Sequence, residues 1–317
     1  MKFATYEVSG NEESGVLIAD RLYPLTHNLL VHLKEGLQPL LAEGSAAQAR
    51  GISHALTEVK LKSPIKPPTI RDFVGFEAHV EGVVKNMDGL AETPSAWYPR
   101  AQFYFTNPNA ITGPFDDVEF PPLCRILDFE CEVGAVLGIS GSNLSPSQAH
   151  DGIIGYTIFN DWSARDLQKP ERELGLGFAK GKDFANTFGP YLVTADEFEV
   201  DDEGFIDITM SVEINGELVG QDSLASVSWN FGEMISYASR GAWVHPGDIF
   251  GSGTCGSGCL SEMWGRAGQQ TPPPLKPGDV VTMTVEGIGT ISNKVVASTA
   301  VIHEIPPARK RQRGVRH

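Results

Sequence analysis

Positive charge is scarce in this chain. Its 25 Lys and Arg face 40 Asp and Glu, a formal net charge of -15, which argues against a nucleic-acid or anionic-membrane surface as partner. No apolar run approaches the ~20 residues that span a bilayer, and the opening Met1-Lys2-Phe3-Ala4-Thr5-Tyr6 lacks the apolar stretch of a secretory signal. Cysteine is sparse as well. Cys124, Cys131, Cys255 and Cys259, without a secretory context, read as reduced thiols, and the expected compartment is the cytoplasm. Cys255 and Cys259 have no second Cys or His pair nearby, so no zinc site is expected there. The one basic cluster is the tail 308–317, with Arg309, Lys310, Arg311, Arg313 and Arg316, read as a solvated, disordered end.

What the chain does have is turn-forming residues, 34 Gly and 21 Pro, beside an ordinary hydrophobic content of 41%. That balance predicts a β-rich α+β protein with ample core. Residues 15–25 read as a hairpin. From Thr26, taken as an N-cap, Leu29, Leu30, Leu33 and Leu37 recur at helical spacing, with Gly44 as the end of the helical region. The stiff Lys62-Ser63-Pro64-Ile65-Lys66-Pro67-Pro68 predicts a boundary. The expected division is a small N-terminal domain over 1–65, a catalytic domain over 66–307, and the tail. Helices are predicted around Phe76 to Val84, after Ser145-Pro146, and from Asn230 to Arg240. The turns His245-Pro246-Gly247-Asp248 and Lys276-Pro277-Gly278-Asp279 predict successive hairpins of one sheet system.

The chemistry concentrates between Leu127 and Lys182. Leu127 to Val136 reads as one strand, on which Glu130 and Glu132 point to the same side. Two carboxylates so placed repel unless a cation sits between them, and a hard divalent ion with oxygen ligands keeps both ionised. Asp161, at the end of the apolar run Ile153 to Phe159, is placed to add a third oxygen. Trp162 reads as core, and Arg165 with Asp166 as an ion pair holding the Asp161 loop.

Four strings carry a resemblance: Asp128-Phe129-Glu130-Cys131-Glu132; Asn160-Asp161-Trp162-Ser163-Ala164-Arg165-Asp166 with Gln168; Lys180-Gly181-Lys182-Asp183-Phe184; and Pro246-Gly247-Asp248 running to Gly253-Thr254. In this order, over about residues 70–305, they resemble the fumarylacetoacetate hydrolase family. The resemblance implies a mixed β-roll or β-sandwich catalytic domain, a small anionic substrate and a homodimer. It also implies a divalent metal (Mg²⁺, or Mn²⁺ or Ca²⁺) and hydrolysis of a carbon–carbon bond in a 1,3-diketone or acylpyruvate. Decarboxylation, isomerisation or hydration at the same centre is the alternative, and a non-catalytic metabolite-binding protein a further one.

Carried over residue by residue, the resemblance implies that Glu130, Glu132, Asp161 and Asp72 are metal ligands. It makes His79 the base, Glu262 the acid that orients it, Lys182 a catalytic cation, and Gln168 and Thr254 substrate contacts. Glu262 follows a Gly-Ser-Gly run, and a surface acid is the competing expectation. Smaller family members carry the orienting Glu three residues after the His, where this chain has Gly82, and they read Gly-Thr-Pro where it has Gly253-Thr254-Cys255. Both departures point to the larger hydrolase type. Lys182 lies one residue further from Asp161 than in the fumarylacetoacetases, which leaves the substrate open.

Overall fold

A computed structural model of the chain describes residues 1–89 and 92–309. Its centre is the strand Ile153–Asp161, every residue of which is buried. A run of apolar and β-branched residues with both faces covered has no solvated side to mark with polar residues. The strand lies antiparallel between Asn186–Thr194 and Cys131–Leu137. From there the sheet continues through Ile249–Gly251 and Ile70–Phe73 to the edge strand Phe103–Thr106.

On the other side the same 12-stranded sheet continues into the N-terminal region. Lys2–Val8 pairs with Asn186–Thr194, and the predicted hairpin follows as Asn11–Ile18 and Arg21–Pro24. A second, five-stranded sheet holds Glu217–Ser223, Thr209–Ile214, Val280–Val285, Gly289–Val296 and Val118–Glu119. The main hydrophobic core joins the two sheets, with Val133, Ile158, Met210 and Met283 fully or almost fully buried in it. This is the β-rich α+β architecture expected.

Several local expectations are corrected. The first helix, Leu29–Leu33, is capped by Asn28, whose side chain accepts from the Val31 N–H; Thr26 lies outside it. Gly44 does not end the helical region, because Leu37–Arg50 runs through it to a left-handed Gly51. Gly44 instead packs on Met1 and Phe3, where a Cβ would lie 2.9 Å from the methionine sulfur. The two Pro-Gly-Asp turns lead into different sheets: Ile249–Gly251 belongs to the large one and Val280–Val285 to the small one.

Leu127 to Val136 is not one strand either. Leu127–Asp128 pairs with Ser163–Ala164, and pairing in the large sheet starts again at Cys131. The break falls where the backbone is held from elsewhere, with the Glu130 N–H donating to Asn160 Oδ1 at 3.1 Å. The helices Glu77–Asp88, Pro146–Asp151 and Phe231–Ala238 fall where predicted. Arg165–Leu174 and Leu260–Ala267 are two that the sequence reading did not anticipate. The basic tail from Lys310 onward lies outside the described residues.

Candidate active site

Three neighbouring segments deliver the acids. Glu132 sits on Cys131–Leu137, which pairs with Ile249–Gly251. That strand runs parallel to Ile70–Phe73, with Gly251 opposite Asp72. Asp161 ends the central strand, and Glu130 sits in the break just described. One carboxylate oxygen from each of Asp72, Glu130, Glu132 and Asp161 lies within 4.8 Å of the other three, and all four residues are buried. The solvated edge strand that a Glu-x-Glu pattern most often signals is thus excluded here.

Burial raises Asp161 and Glu132 well above the ordinary carboxylate range, against Lys182 for the first and helped by Asp72 for the second. Burial raises Asp72 too. Glu130 differs. Burial pushes it up, but Lys182, Arg165 and His79 beside it prevail and hold it low. Lys182, only 3% exposed, is ion-paired to both Glu130 and Asp161. Burial opposes its charge, yet those two acids raise it above the ordinary lysine value.

These residues fit a hard divalent cation. Asp72 Oδ1 and Asp161 Oδ1 are buried with no hydrogen-bond partner, a costly state for acceptors that a cation would relieve. A Cβ on Gly251 would lie 2.4 Å from Asp72 Oδ1 and 2.9 Å from Glu132 Oε2, so the absence of a side chain there opens the space these oxygens face. An all-carboxylate donor set suits Mg²⁺, Mn²⁺ or Ca²⁺ rather than a thiophilic ion.

His79 stands on the helix Glu77–Asp88, across from the acids. Its Nε2 is 3.8 Å from Glu130 Oε1 and its Nδ1 is 3.6 Å from Glu262 Oε2. Glu262 is no surface acid. It is 0% exposed, on the helix Leu260–Ala267, with Oε1 accepting from the Ser257 N–H and paired to Arg266. The helix forms because Cys259 caps it, its Sγ accepting from the Glu262 N–H at 3.4 Å. At Gly82 a Cβ would come within 2.4 Å of Glu262 Cγ. The acid beside His79 therefore occupies the space that a side chain at Gly82 would need.

Thr254 donates to Glu132 Oε1 at 3.3 Å, and Gln168 donates to the Gly181 carbonyl at 3.4 Å. Both line a cavity of about 190 Å³ together with His79, Lys182 and three of the acids, Asp72, Glu130 and Glu132. Val80, Val83, Val84 and Phe178 supply its apolar wall. Arg165 does not pair with Asp166. Its NH2 lies 2.7 Å from both Asp128 and Glu130, while Asp166 accepts from the Arg125 and Ile126 N–H groups. Trp162 is core, 0% exposed, with Nε1 donating to Thr187.

Tyr104 and Arg172 also line this cavity, and the sequence reading passed over both. Tyr104 donates to Asp161 Oδ2. Strand alternation at Phe103-Tyr104-Phe105 sets it on the opposite side from its neighbours. Arg172 follows Arg165 and Gln168 at i+7 and i+4, a spacing that would have placed all three on one helix face.

The arrangement is that of an enzyme with an acidic cation pocket facing a histidine. The profile described as "Fumarylacetoacetate (FAA) hydrolase C-terminal" matches residues 69–296, and the chain belongs to that family. Among curated relatives, the oxaloacetate tautomerase YisK of Bacillus subtilis is 29% identical over 93% of this chain and 100% of its own length. The mitochondrial oxaloacetate tautomerase fahd2 of Xenopus laevis is 34% identical over 59% of this chain and 56% of its own. Among solved structures, a fumarylacetoacetate hydrolase from Exiguobacterium antarcticum superposes with a TM-score of 0.74 at 29% identity, covering 94% of this chain and all of that one. A maleylpyruvate hydrolase from Sphingobium, solved with manganese(II) and pyruvate, reaches 0.69 at 22% over the same share, a likeness of fold alone. No helix among the described residues is long and apolar enough to cross a membrane.

Proposed function

We propose that the protein catalyses keto–enol proton transfer on a small 2-oxo acid of the oxaloacetate type, with a divalent cation held by Asp72, Glu130, Glu132 and Asp161. The observation that carries this reading is the His79 imidazole facing the four buried acids across one small cavity. At about 190 Å³ that cavity is smaller than the ~300–1,000 Å³ clefts that enclose drug-sized ligands, so a substrate of few heavy atoms suits it. The full-length likeness to a tautomerase supports the choice of reaction.

When bound, the ion supplies positive charge that polarises the substrate carbonyl. Lys182, kept charged by Asp161 and Glu130, adds a fixed positive charge where negative charge develops on oxygen, worth ~2–4 kcal/mol when preorganised. His79 Nε2 takes the proton from the carbon beside the carbonyl and returns it to oxygen or carbon. Glu262, on the Nδ1 side, fixes the ring's tautomer and stabilises its protonated form. Gln168 and Thr254 hydrogen-bond the substrate carboxylate, and the valine wall keeps bulk water off the exchanging proton.

Hydrolytic carbon–carbon cleavage is the second reading. It is favoured by the same His79–Glu262 pair, which serves equally to deprotonate water, and by the 29% identity to a fumarylacetoacetate hydrolase. One experiment separates them. With Mn²⁺ present, the enol absorbance of oxaloacetate should decay faster than in buffer, without change of mass, and the acceleration should be lost in His79→Ala. Splitting of acylpyruvates with uptake of water, and no acceleration on oxaloacetate, would replace the first reading by the second.

A further inference from the structure

We infer that Asp128 is a positioning residue that ties the cation-binding half of the site to the half that carries the base. Its carboxylate is 0% exposed and receives donors from both sides. Oδ1 accepts from the N–H groups of Phe129 and Leu260, each at 2.8 Å. Oδ2 accepts from the Ser261 N–H at 2.9 Å and from Arg165 Nε at 2.8 Å, with Arg165 NH2 at 2.7 Å.

Each of these contacts leads to a residue of the site. Leu260 and Ser261 open the helix whose next residue is Glu262, and whose cap Cys259 has its Sγ 3.6 Å from His79 Nδ1. Arg165 reaches Glu130 Oε1 at 2.7 Å with the same nitrogen that meets Asp128. The guanidinium is thus shared between two buried acids, one of them in the cation pocket. A guanidinium fork matches a single carboxylate with two parallel bonds. With the Asp128 carboxylate in place the guanidinium is divided between the two acids, and Glu130 is held where a cation can reach it. Without that carboxylate the guanidinium loses its anchor, and Glu130 loses the partner that fixes its place among the acids. In Asp128→Asn one of the Leu260 and Ser261 N–H groups meets an amide NH2 in place of its acceptor, and Glu262 shifts against His79.

This inference rests on reading the four acids as a cation site, and the test separates the two. Asp128→Asn, nearly the same shape, is titrated with Mn²⁺ by calorimetry beside wild type and Arg165→Lys. Partners behind metal ligands typically change metal affinity by about 10–100-fold, and a loss of that size is expected in Asp128→Asn. Arg165→Lys, which keeps the charge and loses the fork, should match it, and the double variant should lose no more than the worse single. A purely structural Asp128 would lower Tm and leave the Mn²⁺ affinity of the folded variant unchanged. Folded Asp128→Asn with affinity within about twofold of wild type, or fully additive losses in the double variant, overturns the inference. Should Asp128→Asn fail to fold, unchanged Mn²⁺ affinity in Arg165→Lys overturns it, and a reduced affinity supports it. Wild-type protein that binds no Mn²⁺ overturns the cation reading itself.

Discussion

Replacing Gly82 with alanine tests the packing that brings Glu262 to His79. The new Cβ would sit 2.4 Å from Glu262 Cγ and 3.0 Å from both its Cα and its carbonyl oxygen. Carbon atoms rest at ~3.5–4.0 Å, so the helices Glu77–Asp88 and Leu260–Ala267 must part by about 1 Å. Alanine gains ~1 kcal/mol of helix propensity over glycine. Overpacking costs ~1–3 kcal/mol, so the net destabilisation reaches about 2 kcal/mol at most. For a chain of this size that is a fall in Tm of at most about 3 °C. Activity should suffer more, because a misplacement of ~1 Å in a catalytic constellation costs on the order of 10²-fold. The assay is a melting curve beside kcat on the enol substrate. Glu81→Ala, on the exposed side of the same helix, serves as control. A Gly82→Ala protein with wild-type Tm and kcat would refute the close approach on which the Glu262 assignment depends.

Three further outcomes follow from the same geometry. In chelated protein, the raised Asp72, Glu132 and Asp161 keep protons that the unfolded chain releases near pH ~4. Their contribution to stability is therefore present below that pH and lost as pH rises through the folded values; Glu130, held low, works the other way but is outnumbered. Tm in EDTA should accordingly fall as the pH is raised above the ordinary carboxylate range, and saturating Mn²⁺ should remove the fall; equal slopes with and without the ion would contradict this. Lys182→Met should lower kcat by about 10²–10³-fold, the scale of a lost preorganised charge, and steady-state kinetics with full Mn²⁺ occupancy checks it. Tyr104→Phe, which removes the hydroxyl bonded to Asp161, should weaken Mn²⁺ binding by less than Asp161→Asn does, as measured by calorimetry.

The acids were legible because their signal is local. Glu130 and Glu132 alternate on extended backbone, and Asp161 closes an apolar run, so pattern alone put three oxygens near one another. The strand break at Phe129–Glu130 was not legible, since it is made by partners 30 residues away, such as Asn160. Arg165 was mispaired for a related reason. Its neighbour in sequence is Asp166, but its position at the start of a helix turns it toward Asp128 and Glu130. The helix Leu260–Ala267 was hidden behind glycines, and its cap is a cysteine, a residue that carries no capping signal. The fold beyond residue 70 was readable through the matched strings. The pairing of Lys2–Val8 onto Asn186–Thr194 joins segments that no local pattern connects.

The most direct measurement is a calorimetric titration of Mn²⁺ into chelated protein at neutral pH, for wild type and Glu132→Gln. Four buried acids gathered within 4.8 Å predict one ion per chain in wild type and none in the variant. Wild-type protein that takes up no ion, or a variant that binds it as tightly, would contradict the account.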